Sequence, residues 1–168
     1  MKTRESGVRQ SNVVPFASVG LLTSVELFSG CGGLALGLSK AGLSHKLLVE
    51  LDKHACSTLR VNASKKLDHF EDWQAVEDDV RNVDWSTLKG VDVVAGGPPC
   101  QPFSIGGRSS GSRDKRDMWP EAIRAIREIR PKAFVFENVR GLLRPAFSGY
   151  VSWLRQYLSL PHLLRSPS

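Results

Sequence analysis

The chain changes character at Ser24. A short, largely apolar run, Val25 to Phe28, leads into Ser29-Gly30-Cys31-Gly32-Gly33, and Leu34, Leu36, Leu38 and Ala41 follow in a helix-compatible segment that closes at Gly42. That order reads as strand, tight glycine turn, helix. The pattern then recurs. Lys46 to Glu50 reads as a second strand, and Asp52 is placed to cap a helix over Lys53 to Ala63. A weaker third strand is expected near Ala75 to Val80. Val91 to Ala95 reads as a buried strand stopped by Gly96-Gly97-Pro98-Pro99. Met118 to Ile129 is helical, with Ile123, Ile126 and Ile129 on one face, and Pro131 ends it. Ala133 to Phe136 is another strand, followed directly by Glu137-Asn138, and Ala146 to Leu158 suits one more helix. Alternating strands and helices imply an α/β fold with a parallel sheet covered on both faces. No internal repeat interrupts it. The expected layout is a polar arm over residues 1–22 and a single domain over residues 23–168.

Bulk properties narrow the function classes. The 168 residues carry a net charge of +6, which suits a polyanionic partner without requiring one. Three cysteines, Cys31, Cys56 and Cys100, form no C-x-x-C pair, which argues against a disulfide framework or a zinc site and for a reduced, cytoplasmic setting. No metal is expected. The first twenty residues hold Lys2, Arg4 and Arg9 but no continuous apolar stretch, so they do not read as a signal peptide. The apolar runs are too short to span a bilayer.

Two segments carry chemistry. Gly30-Cys31-Gly32-Gly33-Leu34-Ala35 fits G-x-G-x-x-G/A between a strand and a helix, where side chains would block a ligand's close approach. Glu50 lies at the end of the next strand, where an acid can accept from the ribose hydroxyls of a nucleoside-containing cofactor. A nicotinamide dinucleotide and S-adenosylmethionine fit such a turn equally, and so does a turn needed only for helix–sheet packing. The second segment is Gly96-Gly97-Pro98-Pro99-Cys100-Gln101-Pro102-Phe103-Ser104. A cysteine at the carboxyl end of a buried parallel strand sits where open α/β sheets bind ligands, and the flanking prolines stiffen its backbone as a nucleophile needs. A lone cysteine is more often a small buried hydrophobe; the proline scaffold has no purpose in that reading. Glu137 should emerge at the same sheet edge and face the same cleft.

Three of these segments, in order and spacing, resemble DNA cytosine-5 methyltransferases. Glu26-Leu27-Phe28-Ser29-Gly30-Cys31-Gly32-Gly33 is similar to their first motif, Pro98-Pro99-Cys100-Gln101-Pro102-Phe103-Ser104 to their catalytic motif, and Phe136-Glu137-Asn138-Val139 to the motif carrying their glutamate. The resemblance covers roughly Ser24 to Tyr150. It implies a Rossmann-like, doubly wound sheet of the class I S-adenosylmethionine-dependent type, and S-adenosylmethionine as the cofactor. By position, Phe28, Gly30, Cys31 and Gly33 would lie along the methionine and adenosine. Glu50 would hold the ribose, Leu51 the adenine face and Asp79 the adenine amino group. Val80, Pro99 and Met118 would complete the pocket.

Cys100 would attack cytosine C6, and Glu137, kept protonated by burial, would donate to N3. The base must leave the duplex to be reached. Arg108, Arg113, Lys115 and Arg116, against the single acid Asp114, would meet phosphates from the Gly- and Ser-rich segment after Cys100. A restriction-modification setting with duplex DNA as substrate follows from the same resemblance.

The chain lacks the arginine-bearing motif and the target-recognition region of full-length relatives. The fold is therefore expected to be incomplete at its C-terminus, with the strand carrying Glu137 an exposed edge. A second polypeptide would supply the missing motifs in a split enzyme, a truncated or frameshifted, non-catalytic remnant would lack them, and a fragment of a longer gene would carry them elsewhere in that gene. An RNA cytosine-5 methyltransferase sharing the Pro-Pro-Cys arrangement is the nearest alternative activity. A nicotinamide-dependent oxidoreductase leaves Cys100 and its prolines without a role.

Overall fold

A computed structural model describes residues 21–65, 68–70, 73–99 and 117–159. Residues 1–20 of the expected arm, Cys100, the cationic segment with Arg108, Arg113, Lys115 and Arg116, and the tail after Ser159 lie outside the described residues.

The described elements run β1 (Thr23–Leu27), α1 (Gly33–Lys40), β2 (Ser44–Glu50), α2 (Lys53–Ser64), β3 (Ala75–Glu77), β4 (Val93–Gly96), α3 (Trp119–Ile129), β5 (Ala133–Phe136) and α4 (Ser148–Ser159). The sheet has the order β3-β2-β1-β4-β5. Every pairing is parallel. From β1 the chain winds one way through β2 to β3. It then returns to the other side of β1 for β4 and β5. Strand order thus reverses between β1 and β4, and their carboxyl ends open the crevice where such sheets bind ligands. Both motif-bearing turns lie there: the glycine turn leaves β1, and Gly96-Gly97-Pro98-Pro99 leaves β4.

The two-residue period of β1 builds both layers. Val25 and Leu27 point to one face, where they meet Val49, Val94 and Trp85 together with Ala125, Ile126 and Ile129 of α3. The opposite face packs Leu48 against Ala35 of α1, Leu59 of α2 and Trp73. A third cluster joins Trp119, Ala122 and Ile123 of α3 to Leu142 and to Leu154 of α4. Fully burying a Leu or Ile of this kind stabilises by about 1.5–3 kcal/mol. Helix ends follow from local chemistry. The Asp52 carboxylate caps α2 by accepting from His54 N and Ala55 N at 2.9 and 2.8 Å. Arg130, at φ 55°, turns the chain out of α3 ahead of Pro131.

The third strand is shorter than its sequence suggested. It stops at Glu77, and a single 3-10 turn covers Val80–Asn82. Asp79 causes the break, since its carboxylate caps that turn by accepting from Arg81 N at 2.9 Å. On the other side, β5 is the edge of the described sheet, as expected. Phe134 and Val135, which point to opposite faces, are 39% and 45% exposed.

The second face of β1 is polar and buried, which the sequence reading missed. Ser24 Oγ meets His45 Nδ1 at 2.9 Å, and His45 Nε2 lies 2.9 Å from the Ala35 carbonyl. Glu26 is 1% exposed, its Oε2 has no hydrogen-bond partner among the described residues, and burial pushes its carboxyl up to about 8.

Candidate active site

The turn after β1 divides its glycines between two jobs. Gly32, at φ 87°, is demanded by packing: a Cβ there would lie 2.6 Å from the Trp73 ring and 2.7 Å from Leu59. Gly30, at φ 52°, needs its glycine for backbone conformation, and a Cβ on Gly30 or Gly33 would meet nothing within 4 Å. Open space beside those two residues is what close approach of a ligand needs. Phe28 also sits in the left-handed region, at φ 56°, a conformation that costs a non-glycine residue roughly 1–3 kcal/mol.

Glu50 is locked into this turn. Its Oε2 accepts from Gly30 N at 2.8 Å, and its Oε1 accepts from Leu51 N and Asp52 N at 2.8 and 2.7 Å. Three backbone donors therefore orient the carboxylate before any ligand arrives. It lines a cavity of about 450 Å³ together with Phe28, Leu51, Asp79, Val80, Pro99 and Met118. These seven residues come from well-separated stretches of the chain, and each was expected at a cofactor site. Gly30, Cys31 and Gly33 are not among the lining residues; Gly30 reaches the cavity only through its bond to Glu50, and Cys31 and Gly33 are exposed.

Val49, Asp52, Lys53, Asp78 and Arg81 also line the cavity and were not anticipated. Asp52 and Lys53 adjoin Glu50 at the start of α2, so the helix start itself was the available signal. Arg81 matters most, because it pairs with Asp79 through Nε at 2.9 and 3.0 Å. Hydrogen bonding from the Arg81 side chain holds the Asp79 carboxyl below its ordinary range.

The strand ends of β4 and β5 meet as the sequence implied. Gly96 pairs with Phe136, and Glu137 N donates to the Gly96 carbonyl at 3.1 Å. The Glu137 side chain lies across Gly97, where a Cβ would come within 2.4 Å of its Oε1. Asn138 Nδ2 donates to the Pro98 carbonyl at 2.8 Å. The segment that enters Cys100 is thus tied to the segment that carries Glu137, although Cys100 itself lies outside the described residues. Glu137 is exposed, which corrects the expectation of burial: it lies across Gly97 directly after β5, the edge strand of the described sheet.

Among the described residues, no helix is long and apolar enough to cross a membrane, and no three potential metal ligands gather.

The fold and cavity define a class: parallel α/β proteins with a small-molecule-sized cavity at the carboxyl ends of the strands, where strand order reverses. Comparison with known proteins gives the family. The model of the C-5 cytosine-specific DNA methylases matches residues 22–158, and the chain belongs to that family. It is 46% identical over 142 residues to the type II methyltransferase M.NgoMIV of Neisseria gonorrhoeae, a match covering 84% of this chain and 43% of that protein. It is 52% identical over 120 residues to M.PspPI of a Psychrobacter strain, covering 70% and 27%. Among solved structures, a prophage-encoded Escherichia coli chain described as a DNA modification methyltransferase superposes with a TM-score of 0.64 at 34% identity, covering 82% of this chain and 38% of that one. The chain therefore spans less than half the length of these relatives.

Proposed function

We propose that this chain supplies the cofactor pocket and the nucleophile of a DNA (cytosine-5) methyltransferase of the restriction-modification type. The observation that carries the reading is the joining of the two motif-bearing strand ends beside one cavity: Glu137 across Gly97, Asn138 on Pro98, and Pro99 in the cavity wall.

The cavity fits S-adenosylmethionine. About 450 Å³ lies in the roughly 300–1,000 Å³ range of small-molecule sites. Glu50, fixed by three backbone donors, would take the ribose, Asp79 the adenine amino group, and Phe28, Leu51, Val80, Pro99 and Met118 the apolar surfaces. Bound there, the cofactor supplies an electrophilic methyl group. Cytosine C5 is a weak nucleophile, so the Cys100 thiolate adds to C6 and moves electron density to C5. Glu137 holds a proton toward N3 and offsets the charge that develops on the ring. Once C5 carries the methyl group, a base takes the C5 proton, and the electron pair it leaves expels the thiolate and restores the aromatic ring. With Glu137 exposed at the edge of β5, the groups that shield it would come from beyond the described residues or from a second polypeptide docked on that edge. Arg108, Arg113, Lys115 and Arg116 would contact phosphates of duplex DNA while the target base is flipped out. A cytoplasmic setting follows from that substrate.

Trapping on duplex DNA containing 5-fluorocytosine, with S-adenosylmethionine present, tests this. The chain is assayed alone and with polypeptides carrying the remaining motifs. A covalent adduct is expected from the unmodified protein and none from Cys100→Ser. An adduct that survives in Cys100→Ser refutes the role of that thiol. A tRNA substrate trapped in preference to DNA would transfer the reading to the RNA branch.

A further inference from the structure

Met118 forms part of the cavity wall, yet it lies at the junction between the segment outside the description and the first residue of α3. Its placement depends on what holds that junction. Met118 is the N-cap position of α3 and makes no side-chain capping bond. The capping comes from one residue earlier, where Asp117 Oδ1 accepts from Trp119 N at 3.1 Å. The other carboxylate oxygen, Asp117 Oδ2, accepts from the hydroxyl of Tyr150 at 2.5 Å. Tyr150 is itself fixed, because its ring stacks on Trp153 at 5.3 Å, and Trp153 meets Tyr157 at 4.6 Å. On the far side of Met118, Trp119 is buried and packs edge-on against Phe136 at 5.5 Å.

We propose that Tyr150 is a positioning residue for cofactor binding: its hydroxyl fixes the Asp117 carboxylate, and Asp117 in turn holds Met118 against the cavity. This rests on the reading of that cavity as the S-adenosylmethionine site. Neither Asp117 nor Tyr150 lines the cavity, so both act through Met118. The phenol is a durable donor, because burial and then the Asp117 carboxylate raise it well above its ordinary range. Without the hydroxyl, Asp117 keeps its other interactions, the bond to Trp119 N among them, but loses the hydrogen bond that ties it to Tyr150 of α4. The residue before Met118 then samples more conformations, and the cavity wall must be reordered when ligand binds. Only part of that bond's contribution bears on ligand binding, through the reordering of the cavity wall, and the expected effect is about a five- to tenfold weaker Kd.

The test is calorimetric titration of the chain with S-adenosylmethionine, using Tyr150→Phe, Asp117→Ala, the double variant and Asp117→Asn, with urea midpoints measured in parallel. Tyr150→Phe and Asp117→Ala should each weaken binding about five- to tenfold, and the double variant should be no weaker than Asp117→Ala alone. Asp117→Asn should restore most of the affinity, since the amide oxygen can accept from Trp119 N and its NH₂ can donate to the Tyr150 oxygen. A merely structural role would lower the urea midpoint and leave the Kd of the folded protein unchanged. Should Tyr150→Phe fail to fold, the Asp117→Ala and Asp117→Asn pair carries the test. A wild-type chain that binds while Tyr150→Phe binds equally tightly overturns this inference alone, as does strict additivity in the double variant. A wild-type chain that does not bind overturns the cofactor reading and this inference with it.

Discussion

Glu26 should make this protein less stable as pH rises through the neutral range. A carboxyl with an ordinary value of 4.5 is raised to about 8 by burial, with Oε2 unpartnered at the centre of the sheet. The sign follows from proton counting. Between those two values the unfolded chain has released the proton and the folded chain keeps it. The folded state therefore binds more protons, and stability falls as pH climbs from about 4.5 to about 8, then levels off. At about 1.4 kcal/mol per unit, the loss is about 3 kcal/mol at pH 7 and approaches about 5 kcal/mol once the folded carboxyl ionises. Against the roughly 5–15 kcal/mol typical of a domain, a third or more of the stability is at issue.

The assay is urea unfolding of the unmodified protein and of Glu26→Gln between about pH 5 and pH 8.5. The amide keeps the shape and cannot ionise. Its own unmet hydrogen bonds cost a constant amount at every pH, so the informative quantity is the difference in slope. The unmodified protein should lose about 4 kcal/mol more than Glu26→Gln across that range. Other groups titrate in both proteins and cancel. Parallel stability curves would refute the reasoning, because they would mean that Glu26 ionises in the fold as readily as in the unfolded chain.

Two further changes probe the site directly. Glu50→Ala should weaken S-adenosylmethionine binding by about 1–3 kcal/mol in a titration, the usual cost of an unmet polar partner, and it also frees the Gly30, Leu51 and Asp52 N–H groups. Gly32→Ala should lower stability by about 2–4 kcal/mol in denaturant, because the new methyl meets Trp73 and Leu59 and the backbone stands at φ 87°. Gly33→Ala, where a Cβ meets nothing and the residue is already helical, should change that stability by less than about 1 kcal/mol.

Signals that are local in the chain were readable from the sequence. The strand over Ala133–Phe136, the cap at Asp52 and the glycine turn depend on neighbouring residues, and each stands where the pattern put it. The cavity-lining residues Phe28, Glu50, Leu51, Asp79, Val80, Pro99 and Met118 were legible through family resemblance, since spacing alone left two cofactors open. What stayed hidden depends on contacts between distant segments. Gly32 looks like a ligand-binding glycine until Trp73, forty-one positions later, is seen against it. Glu26 reads as one acid in an apolar run, and nothing along the chain reveals that no donor reaches its Oε2. The exposure of Glu137 likewise follows from sheet order, because β5 has a described neighbour on one side only.

That sheet order also explains why the cavity is walled by several strand ends while Glu137 is exposed. The reversal point lies between β1 and β4, so the glycine turn, Glu50 and the Pro98-Pro99 exit are surrounded by structure on both sides. Glu137 belongs to the last described strand, and its geometry is set from one side, through Gly96, Gly97 and Pro98. A covering element on the free edge of β5 would pair the open backbone and bury Phe134, Val135 and Glu137 together. On the proposed reading, an element that completes the sheet would also enclose Glu137, so binding of S-adenosylmethionine and turnover on DNA would be separable properties. Titration with S-adenosylmethionine and trapping on DNA, performed on the same preparation, separate the two.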